Sequence, residues 1–331
     1  MSMNKCIFLG EYEGTVRNVY GEEKIAELSC GRVYKKSDIV ASPSDFYETE
    51  YIFSTWGMPH FGEEEIKSLL PSLKAVFYGA GSVQGFAREF LNCGVRVFSA
   101  WQANAIPVAE FTLSQILLAS KGYFSTCREQ SKGNVKTADS LKYKYSGNYS
   151  LAVGIIGAGM IGRKVIELLK PFSVDVYVFD VFLSSEQIDE MGATKVSLEE
   201  LFEKCQVVSN HLANNKATVG MLDYDLFRRL QPYAAFINTG RGAQVVESDL
   251  VRILSEREDL TALLDVTYPE PPKEGHAFYS LNNCYLTPHI AGSMGNEVKR
   301  MGDYMYRAYT ETLSGEKSSC EVTLEMLAAM A

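Results

Sequence analysis

The sequence predicts an α/β protein of two parallel-sheet domains. Its 331 residues exceed what one hydrophobic core usually serves. Short apolar runs alternate with helix-like segments along the chain, the pattern of parallel sheets. The texture also breaks near residue 103 and restarts at Leu151, which places one domain inside the other. Hydrophobic residues at 46% and charged residues at 22% are ordinary for a chain that buries a full core.

In the first hundred residues the expected strands are Lys5–Leu9, Tyr51–Thr55, Leu73–Tyr78 and Val95–Phe98, with a helix over Glu63–Leu70 that Pro71 closes. Pro107 suits a first helical turn, and an apolar helix is expected to run to about Ser120. A polar stretch, Ser125 to Ser150, follows. Leu151–Ile156 then reads as a buried strand, followed by Val174–Phe179, Val207–His211, Ala234–Asn238, Thr261–Val266 and Cys284–Leu286. That is about six strands, the number of a full dinucleotide-binding sheet. Asn296 to Leu313 reads as a helix returning to the first domain. The expected boundaries are 1–102 with 292–331 for the outer domain and 103–291 for the inserted one.

A net charge of −9 and a pI near 5.2 exclude nucleic acid and anionic membrane surfaces as partners, since both need a basic face. The longest apolar stretch, Pro107 to Ala119, is too short to span a bilayer. Cys6 to Leu9 is too brief for a secretory signal. Seven scattered cysteines without a Cys-x-x-Cys pair fit reduced thiols and a cytoplasmic setting. No metal site is expected, because no ligand set of the usual spacing is present.

Two glycine-rich loops follow strands. Gly157-Ala158-Gly159-Met160-Ile161-Gly162 comes after Leu151–Ile156 and opens a helix expected over Arg163–Lys170. In a dinucleotide fingerprint the first glycine makes the tight turn and the second lets pyrophosphate approach. The third lets the helix pack on the strand, and the helix N-terminus offers free N–H groups to the phosphates. Asp180, at the end of the next strand, is placed to accept hydrogen bonds from a ribose diol. The other loop, Gly79-Ala80-Gly81-Ser82-Val83-Gln84-Gly85, has one residue too many before its third glycine. It reads either as a turn of positive-φ glycines or as a nest of N–H groups for a small carboxylate.

Of four histidines, His60 and His276 are expected at the surface. His211 ends a strand and is read as a cofactor contact or a structural residue. His289, in Thr287-Pro288-His289-Ile290-Ala291-Gly292, lies just past the last strand, where ligands of such sheets bind. Arg241, in Asn238-Thr239-Gly240-Arg241-Gly242, holds a comparable position and suits a carboxylate clamp or a turn cap. Glu270, in Asp265-Val266-Thr267-Tyr268-Pro269-Glu270-Pro271-Pro272, is a carboxylate in a proline-stiffened loop that can orient a histidine and support its protonated form.

These motifs, in this order together with Val108-Ala109-Glu110, closely resemble the D-isomer-specific 2-hydroxyacid dehydrogenase family over roughly Leu73 to Gly292. The resemblance implies two doubly wound parallel-sheet domains, a Rossmann-type NAD domain inserted in a flavodoxin-like substrate domain, and a homodimer. It implies NAD as cofactor, held at Gly157, Gly159, Met160, Ile161, Gly162, Asp180, Thr239 and Asp265, with Asp265 meeting the nicotinamide end. Arg241, Glu270 and His289 match the family's catalytic triad, and Ala80, Gly81 and Ser82 lie in the loop that holds the substrate carboxylate beside Arg241. The activity implied is hydride transfer between a small 2-keto acid and its D-2-hydroxy acid.

Two positions depart from the pattern. His211-Leu212-Ala213-Asn214-Asn215 stands where the family often has His-x-Pro-Leu-Thr, and Gln84 stands where many members have an acid. Glu270 counts against formate dehydrogenases, which pair the histidine with glutamine, and the mid-chain fingerprint counts against L-lactate and malate dehydrogenases. The chain is expected to be too short for the regulatory domain of longer phosphoglycerate dehydrogenases. The alternative is a non-enzymatic, NAD-gated binding protein like the C-terminal-binding corepressors. Absence of a disordered tail or basic segment favours the enzyme. Trp56, Tyr78 and Tyr268 are candidates to line a substrate pocket.

Overall fold

The computed structural model describes residues 5–327. The chain divides into two compact units, residues 1–104 with 293–331 and residues 105–292.

The first unit contains β1 (Cys6–Leu9), β2 (Val33–Tyr34), β3 (Tyr51–Ser54), β4 (Ala75–Tyr78) and β5 (Arg96–Ser99). The sheet runs Glu321–Val322, β5, β4, β3, β1, β2, with every pair parallel except the one made by Glu321–Val322. The strand order reverses between β1 and β3, as in flavodoxin-like sheets. Because successive side chains of a strand face opposite ways, Ile7 and Leu9 join one buried cluster while Cys6 and Phe8 join the other.

Register brings Phe8, Phe53, Phe77 and Phe98 side by side on four neighbouring strands, with stacked ring centroids 5.0, 5.1 and 4.8 Å apart. The helix Glu13–Ser29 lays Tyr20 edge-on against Phe8 and Phe53. The buried Tyr20 hydroxyl lies 2.7 Å from the Ser54 carbonyl and 2.9 Å from that of Phe77, and it accepts the Gly79 amide at 3.0 Å. One side chain thus ties the ends of β3 and β4 to the glycine loop that follows.

The second unit contains β6 (Leu151–Ile156), β7 (Val174–Phe179), β8 (Thr194–Lys195), β9 (Val207–Asn210), β10 (Ala235–Asn238), β11 (Thr261–Leu264) and β12 (Cys284–Leu286). All pair in parallel, in the order β12-β11-β10-β9-β6-β7-β8. The reversal between β6 and β9 is the switch point at which dinucleotide folds bind their ligand. Both faces are covered: Val153 and Ile155 pack with Val165 and Ile166 of one helix, and Phe236 and Leu264 pack on the other face with Leu250 and Ile253. The expected strands Leu151–Ile156, Val174–Phe179 and Cys284–Leu286 match residue for residue. Two short helices, Tyr123–Ser131 and Val135–Leu141, run into the polar stretch Ser125 to Ser150.

Cys6, Cys93, Cys127, Cys205, Cys284 and Cys320 are free thiols. Among the described residues no helix is long and apolar enough to cross a membrane.

Tyr20→Phe removes the hydroxyl and keeps the ring, leaving the Phe77 carbonyl one partner short in a dry site. A loss of about 1–3 kcal/mol is expected, read as a lower unfolding midpoint with unchanged far-UV circular dichroism.

Candidate active site

The glycine loop after β6 has the shape its spacing predicts. Gly157 sits at φ 86°, which L side chains rarely adopt. A Cβ on Gly162 would lie 2.1 Å from the Gly157 carbonyl oxygen, so only glycine lets the helix approach the turn. A Cβ on Gly159 would meet nothing within 4 Å. The helix begins at Met160, three residues earlier than expected, with Gly159 as its N-cap. The amides of Met160, Ile161 and Gly162 therefore precede the first intrahelical bond, Arg163 N–H to the Gly159 carbonyl at 2.9 Å. Free N–H groups, a positive dipole end and open space at the middle glycine fit a pyrophosphate. The Asp180 carboxylate, expected to face a ribose, accepts the amides of Ala158 at 2.9 Å, Phe182 at 2.8 Å and Leu183 at 3.1 Å. It joins the end of β7 to the phosphate turn, with one of about four lone-pair sites still open.

Arg241, Glu270 and His289 follow β10, β11 and β12, three adjacent strands of one sheet. His289 Nδ1 and Glu270 Oε1 are 2.6 Å apart. His289 has a left-handed backbone, φ 54°, and its loop is held by the buried Asp265. Asp265 accepts from Thr287 Oγ1 at 2.6 Å and from the amides of Ile290 and Ala291 at 2.8 and 2.9 Å. Its own carbonyl accepts the His289 amide at 3.1 Å. Asp265 thus acts on the histidine loop as a clamp. Both prolyl peptides beside Glu270, Tyr268-Pro269 and Glu270-Pro271, are cis.

Arg241 donates from Nη1 to the Gly240 carbonyl at 2.7 Å. Burial pulls its guanidinium below the ordinary value, while the Glu270 charge pulls the other way. Its loop rests on three buried amides: Asn210 Nδ2 donates to Asn238 Oδ1 at 3.0 Å and to Gln244 Oε1 at 2.6 Å, and Gln244 donates to the Leu212 carbonyl at 2.8 Å. A Cβ on Gly242 would sit 2.0 Å from the carbonyl carbon of Thr267, so the Arg241 and Glu270 loops touch backbone to backbone. Thr239 is buried, its hydroxyl 3.2 Å from that of Thr112.

In the first unit, the amides of Gly81 and Ser82 meet no protein acceptor among the described residues, whereas the Ala80 amide donates to the Tyr78 carbonyl at 2.9 Å. Ser99 Oγ donates to the carbonyls of Ala80 and Gly81 at 3.0 and 2.5 Å, turning those oxygens inward. Gly79, Gly81 and Gly85 all avoid positive φ, so the turn reading of this loop is corrected. A Cβ on Gly79 would instead strike Val19 and Tyr20 at 2.8 and 2.9 Å.

A family model for the NAD binding domain of the D-isomer specific 2-hydroxyacid dehydrogenases matches residues 113–291. The chain belongs to that family. It is 32% identical over 205 residues to the putative 2-hydroxyacid dehydrogenase YoaD of Bacillus subtilis, covering 60% of this chain and only 58% of YoaD. It is 27% identical over 305 residues to a formate dehydrogenase of Neurospora crassa, covering 88% and 81% of the two chains. The solved apo D-mandelate dehydrogenase of Rhodotorula graminis has the same fold, with a TM-score of 0.78 at 18% identity over 97% of this chain and 98% of that one.

The structure also places the remaining histidines and the aromatic candidates. His276 is half-buried: its Nε2 lies 3.5 Å from Glu247 Oε2, its Nδ1 accepts the Phe278 amide at 3.3 Å, and its ring packs 4.5 Å from Phe278. Tyr78 is buried in the first unit's core, whereas Trp56 and Tyr268 are 40% and 70% exposed. His60 is exposed and 3.6 Å from Glu89. His211 is buried, with Nε2 2.9 Å from Ser209 Oγ and Nδ1 without a partner among the described residues. Asn210, Gln244 and Glu247 escaped the sequence reading. Asn210 ends β9 whereas Gln244 and Glu247 lie past β10, and their partners stand 21 to 34 residues away.

Burial lowers His211 to about 3. The unfolded imidazole titrates near ~6.5, so below that pH the unfolded chain binds a proton that the folded chain refuses. Stability is therefore whole above about pH 6.5 and falls as pH drops toward 3, by up to about 1.4 kcal/mol per pH unit. His211→Gln is expected to flatten that part of the slope, measured as unfolding midpoints at neutral and mildly acidic pH.

The fingerprint glycines should separate binding from folding. Gly159→Ala keeps a normal unfolding midpoint but loses NADH affinity in a fluorescence titration. Gly162→Ala loses both, because its Cβ meets backbone.

Proposed function

We propose that the chain is an NAD-dependent reductase/dehydrogenase interconverting a small 2-keto acid and its D-2-hydroxy acid. The observation that carries the reading is the 2.6 Å contact between Glu270 Oε1 and His289 Nδ1. With Nδ1 engaged, Nε2 is the nitrogen available for proton transfer, and the carboxylate fixes the ring's orientation and tautomer.

Bound NADH supplies the hydride. His289 as imidazolium gives a proton to the developing alkoxide at C2, and Glu270 stabilises the charged ring. Arg241 holds the substrate carboxylate and polarises the carbonyl, a preorganised stabilisation of developing negative charge. The free amides of Gly81 and Ser82, in the first unit, are suited to a small anionic group. Asp180 disfavours a 2′-phosphate by charge, and Val181-Phe182-Leu183 brings no arginine to offset it, so NAD is preferred over NADP. A homodimer belongs to the same reading.

NADH oxidation measured over glyoxylate, hydroxypyruvate, pyruvate and phenylpyruvate tests the activity. Tight NADH binding without turnover of any 2-keto acid would mark a binding protein instead. Asp180→Ala should narrow the preference for NADH over NADPH. Arg241→Lys keeps the charge but loses the planar fork, so it should raise the keto-acid KM with little change in NADH affinity.

The proton-transfer assignment has its own test. His289→Ala should lose about 10²–10⁴-fold in turnover. Glu270→Gln keeps the shape and removes the charge that supports the imidazolium. Reduction needs the protonated ring, so Glu270→Gln should lose keto-acid turnover while NADH affinity holds. Unchanged turnover in Glu270→Gln would remove Glu270 from this role, and near-normal turnover in His289→Ala would remove the mechanism.

A further inference from the structure

We propose that Glu247, with His276, is a positioning residue for Glu270. The inference rests on the reading that Glu270 and His289 form the acid–base pair.

Glu247 opens the helix Glu247–Glu256, six residues after Arg241. Its side chain is 13% exposed, an unusual setting for a carboxylate. Burial pushes its pKa up, and the Tyr268 amide and His276 draw it back down. One oxygen accepts the Tyr268 amide at 2.7 Å, and the other lies 3.5 Å from His276 Nε2. Tyr268 stands two residues before Glu270 and His276 six residues after it. A single largely buried carboxylate therefore meets both flanks of the segment that presents Glu270, one by a hydrogen bond and the other by a 3.5 Å approach.

The histidine is itself fixed. Its Nδ1 accepts the Phe278 amide, so the ring proton sits on Nε2 and faces Glu247. Within the segment, Thr267 Oγ1 donates to the Pro269 carbonyl at 2.9 Å, and Tyr279 donates to that of Pro272 at 3.2 Å. Glu270 is 40% exposed at its side chain, and its contact is with His289. Nothing in that contact keeps Glu270 at 2.6 Å once the flanks relax. A misplacement of about 1 Å can cost about a hundredfold in rate when geometry carries the chemistry.

A plain structural role, an acid in a first helical turn, predicts a loss of stability only. The two roles separate in a double-mutant cycle on the full chain. Turnover of saturating 2-keto acid from the panel above, NADH affinity and unfolding midpoint are measured for wild type, Glu247→Ala, Glu270→Gln and the double variant. Glu247→Ala is expected to lower kcat about tenfold in the wild-type background. It should change kcat less than about twofold in the Glu270→Gln background, because the residue it positions has lost its charge. NADH affinity should hold in both. Glu247→Gln, which can still accept the Tyr268 amide, should recover most of the turnover. An equal loss in both backgrounds, or a lower unfolding midpoint with unchanged kcat, overturns the proposal. Should Glu247→Ala fail to fold, His276→Ala is taken through the same cycle, and an equal loss in both backgrounds again overturns it. If Glu270→Gln is silent on its own, the catalytic reading fails first and takes this proposal with it. If Glu270→Gln is impaired and the cycle is additive, only the positioning role falls.

Discussion

Two loops must keep their shapes independently for Glu270 and His289 to stand 2.6 Å apart, because the pair cannot hold the loops itself. Its side chains are 40% and 47% exposed. Exposed ion pairs contribute only about 0–1 kcal/mol, while holding His289 in the left-handed region costs about 1–2 kcal/mol. The restraint comes from beneath. Asp265, 2% exposed, accepts three hydrogen bonds from the segment that carries the histidine. On the other side Gly242 lies against Thr267 without room for a Cβ, which fixes the start of the Glu270 loop. The site is a consequence of how strand ends are tied down.

The phosphate loop follows the same division of labour. Gly157 and Gly162 serve the protein's own packing, one through φ and the other through close approach, while Gly159 has open space above it. Asp180 contributes to both tasks: it ties β7 to the turn through three amides and brings negative charge to the edge of the site. In the first unit Tyr20 and Ser99 play the internal part. They take up Gly79 N–H and the carbonyls of Ala80 and Gly81, and the amides of Gly81 and Ser82 are left over for a ligand.

What the sequence made legible follows from which forces are local. Buried strands such as Leu151–Ile156 are unbroken apolar runs, and their limits are visible without any partner. Val33–Tyr34 and Thr194–Lys195 are two-residue edge strands, too short to show a period, and only pairing with β1 and β7 defines them. The site divides in the same way. Motifs after strands mark Arg241, Glu270 and His289 because position after a strand is itself a local property. The supports escape, since Asn210 meets Gln244 and Glu247 meets Tyr268 across more than twenty residues. The polar segment around His276 gives no sign of its contacts, because Glu247 is twenty-nine residues away and Phe278 packs on the ring only once the segment folds.

The supports under Arg241 are neutral, and this has an electrostatic consequence. Asn210, Asn238 and Gln244 hold its loop through amide dipoles, and its guanidinium donates to the Gly240 carbonyl, an uncharged acceptor. Had Asp or Glu filled those buried places, the cation would be paired already, and an incoming carboxylate would have to displace a charge at close range. Glu270 is the carboxylate whose field reaches Arg241, and its own short contact is spent on His289. A buried cation lacking a full counter-charge is unfavourable until an anion arrives, which directs binding toward a planar carboxylate that accepts two parallel hydrogen bonds. The acid paired with histidine and the arginine left short of charge are thus one arrangement: on the proposed reading, the same Glu270 serves the proton and leaves the guanidinium for a substrate carboxylate.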